Sequence, residues 1–127
     1  KKQRAFATIE PWHGNSVVIY REPANRKGEW TREVIDESLK QGHALGWADF
    51  DGDGIDELIA GWRDKTPGGA MYKVPKGAGK PERVIIDDGG MATEDLAIAD
   101  LNNDGCPDIA AAGRATSNIK IYWCGRK

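Results

Sequence analysis

The stretch that decides the fold is GWADFDGDGIDELIAG, residues 46–61, with its echo AIADLNNDGCPDIAAA, residues 97–112. Asp49, Asp51, Asp53, Gly54 and Glu57 map onto Asp100, Asn102, Asp104, Gly105 and Asp108 at a constant offset of 51. A second pair, GEWTREVID (28–36) and GKPERVIID (79–87), keeps the same offset. A looser third set is VVIYR (17–21), AMYKV (70–74) and IKIYW (119–123). Three features that recur in one order near one period mark an internal repeat.

Period-2 alternation and β-branched residues read as strands. The complete copy predicts four, at 43–50, 57–62, 70–74 and 82–87. Turn residues separate them: Asp-Gly-Asp-Gly, then Thr66-Pro67-Gly68-Gly69, then 76–79. The first copy predicts 5–11, 16–21 and 30–36, and the last predicts 94–101, 108–113 and 119–123. Only 37–41 invites one helical turn. Four antiparallel strands per ~50-residue unit is the grammar of a β-propeller blade. The fold expected is therefore all-β, about two and a half blades. These are a partial blade at 5–36 lacking strand 1, a complete blade at 43–87, and a partial blade at 94–123 lacking strand 4. Such a segment exposes sheet faces and edges, so the expected partners are the remaining blades of a parent propeller or other copies of itself.

The repeated loop carries the clearest chemistry. Asp49, Asp51, Asp53 and Glu57 stand at positions 1, 3, 5 and 9, as do Asp100, Asn102, Asp104 and Asp108. Alternate oxygen ligands let a chain wrap a hard cation, and calcium takes six to eight of them. The carbonyls of Ile55 and Cys106, at position 7, are the expected backbone ligands. Gly54 and Gly105 permit the sharp turn. Position 12 is Ala60 or Ala111 and the flanks are strands, which argues against an EF-hand or a dockerin. Two Ca2+ sites are expected.

Composition bounds the rest. With 16 glycines among 127 residues, 39% hydrophobic and 30% charged, the chain is neither disordered nor collagen-like. No apolar run is long enough for a membrane span. No basic stripe with interleaved aromatics suggests a nucleic-acid partner. No Ser-His-Asp or Cys-His constellation and no phosphate loop is readable. Cys106 and Cys124 fit no zinc spacing; free thiols are expected, although their places near one end of adjacent strands also permit a cross-strand disulfide.

These loops resemble the FG-GAP/VCBS repeats, calcium-stapled blades of integrin α-subunit heads and secreted bacterial proteins. That resemblance covers nearly the whole chain. It implies a structural ion pinning the turn between strands 1 and 2, an exported (extracellular or periplasmic) protein, and no single activity. Asn103 in place of Gly, and Pro107 at the loop exit, depart from the pattern.

A second site follows from the repeat. His43 and Glu94 occupy the same place at the start of strand 1 in successive copies, and Arg63 and Arg114 share the end of strand 2. His13, in EPWHGN, falls near that position of the first copy, and Trp12, Trp47 and Trp62 are close in sequence. Histidine and glutamate suit a transition metal such as Zn2+, or acid/base chemistry next to a carbonyl. Arginine and tryptophan (Trp12, Trp62, Arg63, Arg114) suit a carbohydrate or another oxygen-rich ligand. Through IEPWHGN, GHAL and MATEDL…GRAT the chain is also similar to the propeller part of aldos-2-ulose dehydratase-type sugar lyases. That similarity implies His13, His43 and Glu94 as metal or acid/base residues. The function expected is a binding or interaction module that is not an enzyme on its own; the alternative is part of a carbohydrate lyase or dehydratase.

Overall fold

The computed structural model describes residues 3–76 and 79–125; of the expected turn at 76–79, residues 77 and 78 lie outside the described residues. The described chain is all-β, with ten strands in three antiparallel sheets. The first sheet holds β1 (Ala5–Glu10), β2 (Ser16–Arg21) and β3 (Thr31–Asp36). The second runs β4 (Gly42–Ala48), β5 (Glu57–Trp62), β6 (Gly68–Lys73) and β7 (Glu82–Asp88). The third holds β8 (Thr93–Ala99), β9 (Asp108–Gly113) and β10 (Asn118–Tyr122).

Strand ends differ from expectation where the backbone leaves the ladder. β4 and β8 stop at Ala48 and Ala99, because Asp49 and Asp100 already turn toward loop amides. The helical turn expected at 37–41 is absent. Ser38 N–H instead bonds the Asp36 carboxylate at 2.6 Å, and Leu39 N–H bonds the Asn15 carbonyl at 3.1 Å. Those contacts fix the segment as an irregular, bent link and leave Leu39 buried in the core. Burial there outweighs the weak helical preference of five residues.

The repeat is visible in the register. Phe6 pairs with Tyr20, Leu58 with Tyr72, and Ile109 with Tyr122. Bulges recur as well. The β4–β5 register steps from Gly42↔Trp62 to Ala44↔Gly61, leaving His43 as the extra residue. The β8–β9 register steps from Thr93↔Gly113 to Asp95↔Ala112, leaving Glu94. Ile35 and Ile86 are the corresponding extra residues on β3 and β7.

The sheets stack in sequence order, each face covering the next. Val17 and Ile19 of the first sheet pack on Leu58, Ala60, Ala70 and Tyr72 of the second. Fully burying such side chains contributes about 1.5–3 kcal/mol each. On the other face of the second sheet, Gly46 lies against Leu96 and Ile98, so close that a Cβ would meet Ile98 at 2.6 Å. β4 thus lies against β8.

Candidate functional sites: two acidic loops and a histidine–arginine cluster

The first acidic loop joins β4 to β5. Asp49 accepts from the N–H groups of Gly52 (2.6 Å) and Gly54 (2.9 Å), Asp51 from Asp53 (3.0 Å), and Asp53 from Ile55 (2.7 Å). Buried Glu57 accepts from Phe50 N–H at 2.8 Å. Ligand atoms of Asp49, Asp51 and Glu57 lie within 4.8 Å of one another. Lys73 of β6 reaches across to Asp51 at 2.5 Å. Burial pushes the Glu57 carboxyl up, an effect only partly offset by Phe50 N–H.

The second loop, between β8 and β9, repeats this framework. Asp100 accepts from Asp104 (3.1 Å) and Gly105 (2.9 Å), Asn102 from Asp104 (3.1 Å), and Asp104 from Cys106 (2.9 Å). Gly52 and Asn103 both adopt left-handed φ, 82° and 60°, and Gly54 and Gly105 match at 83° and 84°. Asparagine enters that region more readily than most side chains, which explains how Asn103 replaces glycine. Fully buried Asp108 takes the place of Glu57, accepting from Leu101 N–H at 2.9 Å and Cys124 N–H at 2.8 Å.

Cys106 and Cys124 form a disulfide, with Cα atoms 5.7 Å apart, which overturns the expectation of free thiols. Cys106 leaves the acidic loop and Cys124 follows β10. Pairing of β9 with β10 brings the two together, and their sulfurs rest against the Phe50 carbonyl of the first loop.

Each loop carries carboxylate or amide oxygens at alternate residues, a spacing that suits a hard divalent cation, but among the described residues only Asp49, Asp51 and Glu57 bring three acidic ligand atoms within 4.8 Å of one another. The first loop offers Asp49, Asp51, Asp53 and Glu57; the second offers Asp100, Asn102, Asp104 and Asp108. In the second loop the Asn102 amide N–H donates to Asp104 at 3.0 Å, a brace that the first loop replaces with Lys73.

At the opposite end of the sheets, side chains from all three meet. The bulges turn His43 and Glu94 out of alternation, a common device for re-aiming a side chain. His43 Nδ1 donates to the Glu94 carbonyl at 2.5 Å, and its Nε2 lies 3.4 Å from the Glu94 carboxylate. Arg63, just past β5, grips both Glu94 oxygens through Nη1 at 2.6 and 2.7 Å. Its Nη2 lies 3.4 and 3.5 Å from the two ring nitrogens of His13. The His13 and His43 rings stack at 4.8 Å. Arg63 Nε is buried and makes no hydrogen bond.

Electrostatics follow from this packing. Arg63 holds the Glu94 carboxyl below its ordinary value, with His43 and Arg114 adding to the effect. Loss of water, then the charge of Arg63 and the neighbouring His43, push His13 down. His13 is therefore neutral near pH 7, and it sits at a strained φ of 55°. Among the described residues, His13, His43 and Glu94 do not gather three ligand atoms within 4.8 Å in the way that Asp49, Asp51 and Glu57 do, and both Glu94 oxygens accept from Arg63.

The other expected ligand residues separate. Trp12 is 88% exposed beside His13, over a cleft shared with Ile9 and Leu45. Arg114 lines a shallow cleft of about 570 Å³ with Glu94 and Asn118. Trp62 lies elsewhere: it packs against the core, its indole N–H bonds Thr66 carbonyl at 2.8 Å, and Arg83 lies over its ring. Sequence reasoning missed the inter-sheet clasps. Tyr72 OH donates to Asp36 of the first sheet, and Tyr122 OH donates to Asp87 of the second, each at 2.6 Å. The signal was present in the aligned tyrosines and the repeated VID/IID endings.

A scan against protein-family models, a search of curated proteins and a search of solved structures each return no match to this chain.

Proposed function

We propose that this chain is a calcium-stabilised segment of β-propeller blades, of the FG-GAP/VCBS kind, and that it serves as a binding or interaction module of an exported protein. The observation that carries the reading is the duplicated loop framework. Two nine-residue acidic turns 51 positions apart repeat left-handed backbone at the same two positions and the bond from the glycine N–H, Gly54 or Gly105, to the first aspartate. The first gathers Asp49 and Asp51 beside buried Glu57, where a divalent cation would relieve the crowding, and the second keeps the same spacing around buried Asp108. Bound calcium would supply charge neutralisation and a fixed link between two strands. The protein's own part is to present the oxygens and to brace them through loop amides. Export is favoured by the Cys106–Cys124 disulfide, a bond that persists in oxidising compartments, and by the millimolar calcium outside cells. Thermal melting with and without a chelator tests the reading. Calcium should raise the melting temperature of the wild-type chain, and Asp49→Asn with Asp100→Asn should remove the increase. An unchanged melting temperature after chelation would count against it.

One observation favours a second reading, in which the chain is part of a propeller carbohydrate lyase or dehydratase. Residues from three sheets converge at His13, His43, Arg63 and Glu94. Neutral His13 is chemically able to accept a proton, and Arg63 and Arg114 could hold an oxygen-rich substrate beside it. His43→Ala in an active full-length protein decides it, since full turnover would remove the reading.

A further inference from the structure

We propose that the Cys106–Cys124 disulfide sets the calcium affinity of the second acidic loop, so that a dithiol reductant weakens that site and calcium in turn protects the bond. This inference deepens the calcium reading and rests on it.

The repeat offers its own control. At the offset of 51, Cys106 stands where the first loop has Ile55, and Cys124 stands where the first copy of the loop has Lys73. In the first loop that second position brings a charge, with Lys73 Nζ 2.5 Å from Asp51. In the second loop the two positions are joined covalently. The acidic residues differ as well. Asp49, Asp51 and Glu57 correspond to Asp100, Asn102 and Asp108, so the second trio has one carboxylate fewer. Calcium affinity is tuned by the charge count of the ligands and by the rigidity of the site. Where a charge is missing, rigidity has more to supply.

The disulfide is placed to supply it. Each half-cystine holds one carboxylate of the loop through its own backbone. Cys106 N–H donates to Asp104 at 2.9 Å, and Cys124 N–H donates to buried Asp108 at 2.8 Å. The Cys106 carbonyl is the oxygen at position 7. One covalent bond therefore ties positions 5, 7 and 9 to a common point. Cys124 follows the last β9–β10 pair, Tyr122↔Ile109, so the bond and not the ladder keeps it beside Asp108. Ligand groups ordered in advance bind with less loss of freedom. The first loop meets the bond only through the Phe50 carbonyl, 3.4 and 3.5 Å from the two sulfurs, and Phe50 is not at a ligand position.

Cys106 is buried and Cys124 is half-buried, so a reductant thiolate reaches the Cys124 sulfur first. Attack there breaks the S–S bond, forms a mixed disulfide with Cys124, and releases Cys106 as a thiolate that takes up a proton. The second thiol of the reductant then closes its own disulfide and releases Cys124, which is protonated in turn. Two electrons pass to the protein, and the two thiols of the reductant become one disulfide. Asp104, the Cys106 carbonyl and Asp108 then lose their shared tether.

Calcium titration by calorimetry, with and without a dithiol, tests the proposal on two variants that each keep one loop. Asp49→Asn, which keeps the second loop, should bind calcium about tenfold more weakly when reduced, an ordinary size for coupling between two sites. Asp100→Asn, which keeps the first loop, should bind alike in both states. Coupling is reciprocal, so saturating calcium should shift the dithiol–disulfide equilibrium of the wild-type chain about tenfold toward the disulfide. Asp100→Asn should abolish that shift. Circular dichroism confirms that the reduced chain is folded; if it is not, Cys106→Val with Cys124→Ala, apolar replacements without the bond, stands in for it. Equal affinity of Asp49→Asn in the two states overturns the proposal. So does a shift that survives Asp100→Asn, or a chain that folds only with the bond intact. Calcium binding that is indifferent to the dithiol leaves the calcium reading standing, whereas no binding by any form in either state removes both.

Discussion

Residues 49–57 and 100–108 share left-handed backbone at two equivalent positions and the bond from Gly54 or Gly105 N–H to the first aspartate. They differ in their bracing. The first loop has its buried acid, Glu57, bonded to backbone N–H groups of the loop itself, and has Lys73 lying across Asp51. The second has Asp108 bonded to two backbone N–H groups, Asn102 in place of an aspartate, and a disulfide that ties its exit to β10. A shared ligand pattern can thus be held by mobile charge in one copy and by covalent and buried polar bonds in the next. The first loop should respond more to ions, and the second should matter more to stability.

The largest test of that difference is the disulfide. Replacing Cys106 and Cys124 with serine releases a closed loop of sequence separation 18, worth about 3 kcal/mol in the chain-entropy picture. A lower denaturant midpoint, matched by wild type under reductant, is the expected result. If the variant is as stable as wild type, the second loop does not depend on the bond. Next, Asp108→Ala should cost about 2–3 kcal/mol with or without calcium, because it strands the Leu101 and Cys124 N–H donors, whereas the cost of Glu57→Ala, at the three-acid cluster, should be larger with calcium than after chelation. Urea unfolding of both, at saturating calcium and after chelation, ranks them; equal costs would erase the distinction.

Calcium titration by calorimetry carries the third test. Lys73 competes with any cation for Asp51, and this pair is more than a third exposed. Lys73→Met should therefore strengthen the first site by only about 0.5–1 kcal/mol, a few-fold in affinity, and leave the second unchanged. Identical isotherms would show that Lys73 is a bystander. The smallest effect concerns acid. Hydrogen bonds from Arg32 foremost, then Thr8 and Tyr20, hold Glu10 down to about 2 from 4.5. A depressed folded pKa stabilises above the unfolded value, so this contribution is intact above pH 4.5 and fades as pH falls toward 2. Wild type and Glu10→Gln, compared across that window, should converge at the acid end. What acid sensitivity remains in the variant belongs to Glu22, Asp36, Asp87 and Glu94, whose carboxyls are also held below their ordinary values.

All ten strands were legible in the sequence, because alternation, β-branched runs and glycine turns act over a few residues. The acidic loops were legible for the same reason: ligand spacing and left-handed turns are properties of one short segment. The 51-residue offset even paired His43 with Glu94, since repeating units place equivalent residues alike. Other features depended on partners distant in the chain. Leu39 became core and not helix because a neighbouring sheet offered burial. Cys106 met Cys124 because β9 pairs with β10. Trp62 went to packing, and Arg63 went to Glu94, although the two are adjacent in sequence.

By itself, the sequence determined the strand pattern, the period and the oxygen-rich turns, since each is written in local spacing and backbone preference. Only the tertiary structure decided which carboxylate each arginine and tyrosine holds. Those choices depend on the distance between side chains from different sheets, and on how much water is left around them when the sheets close.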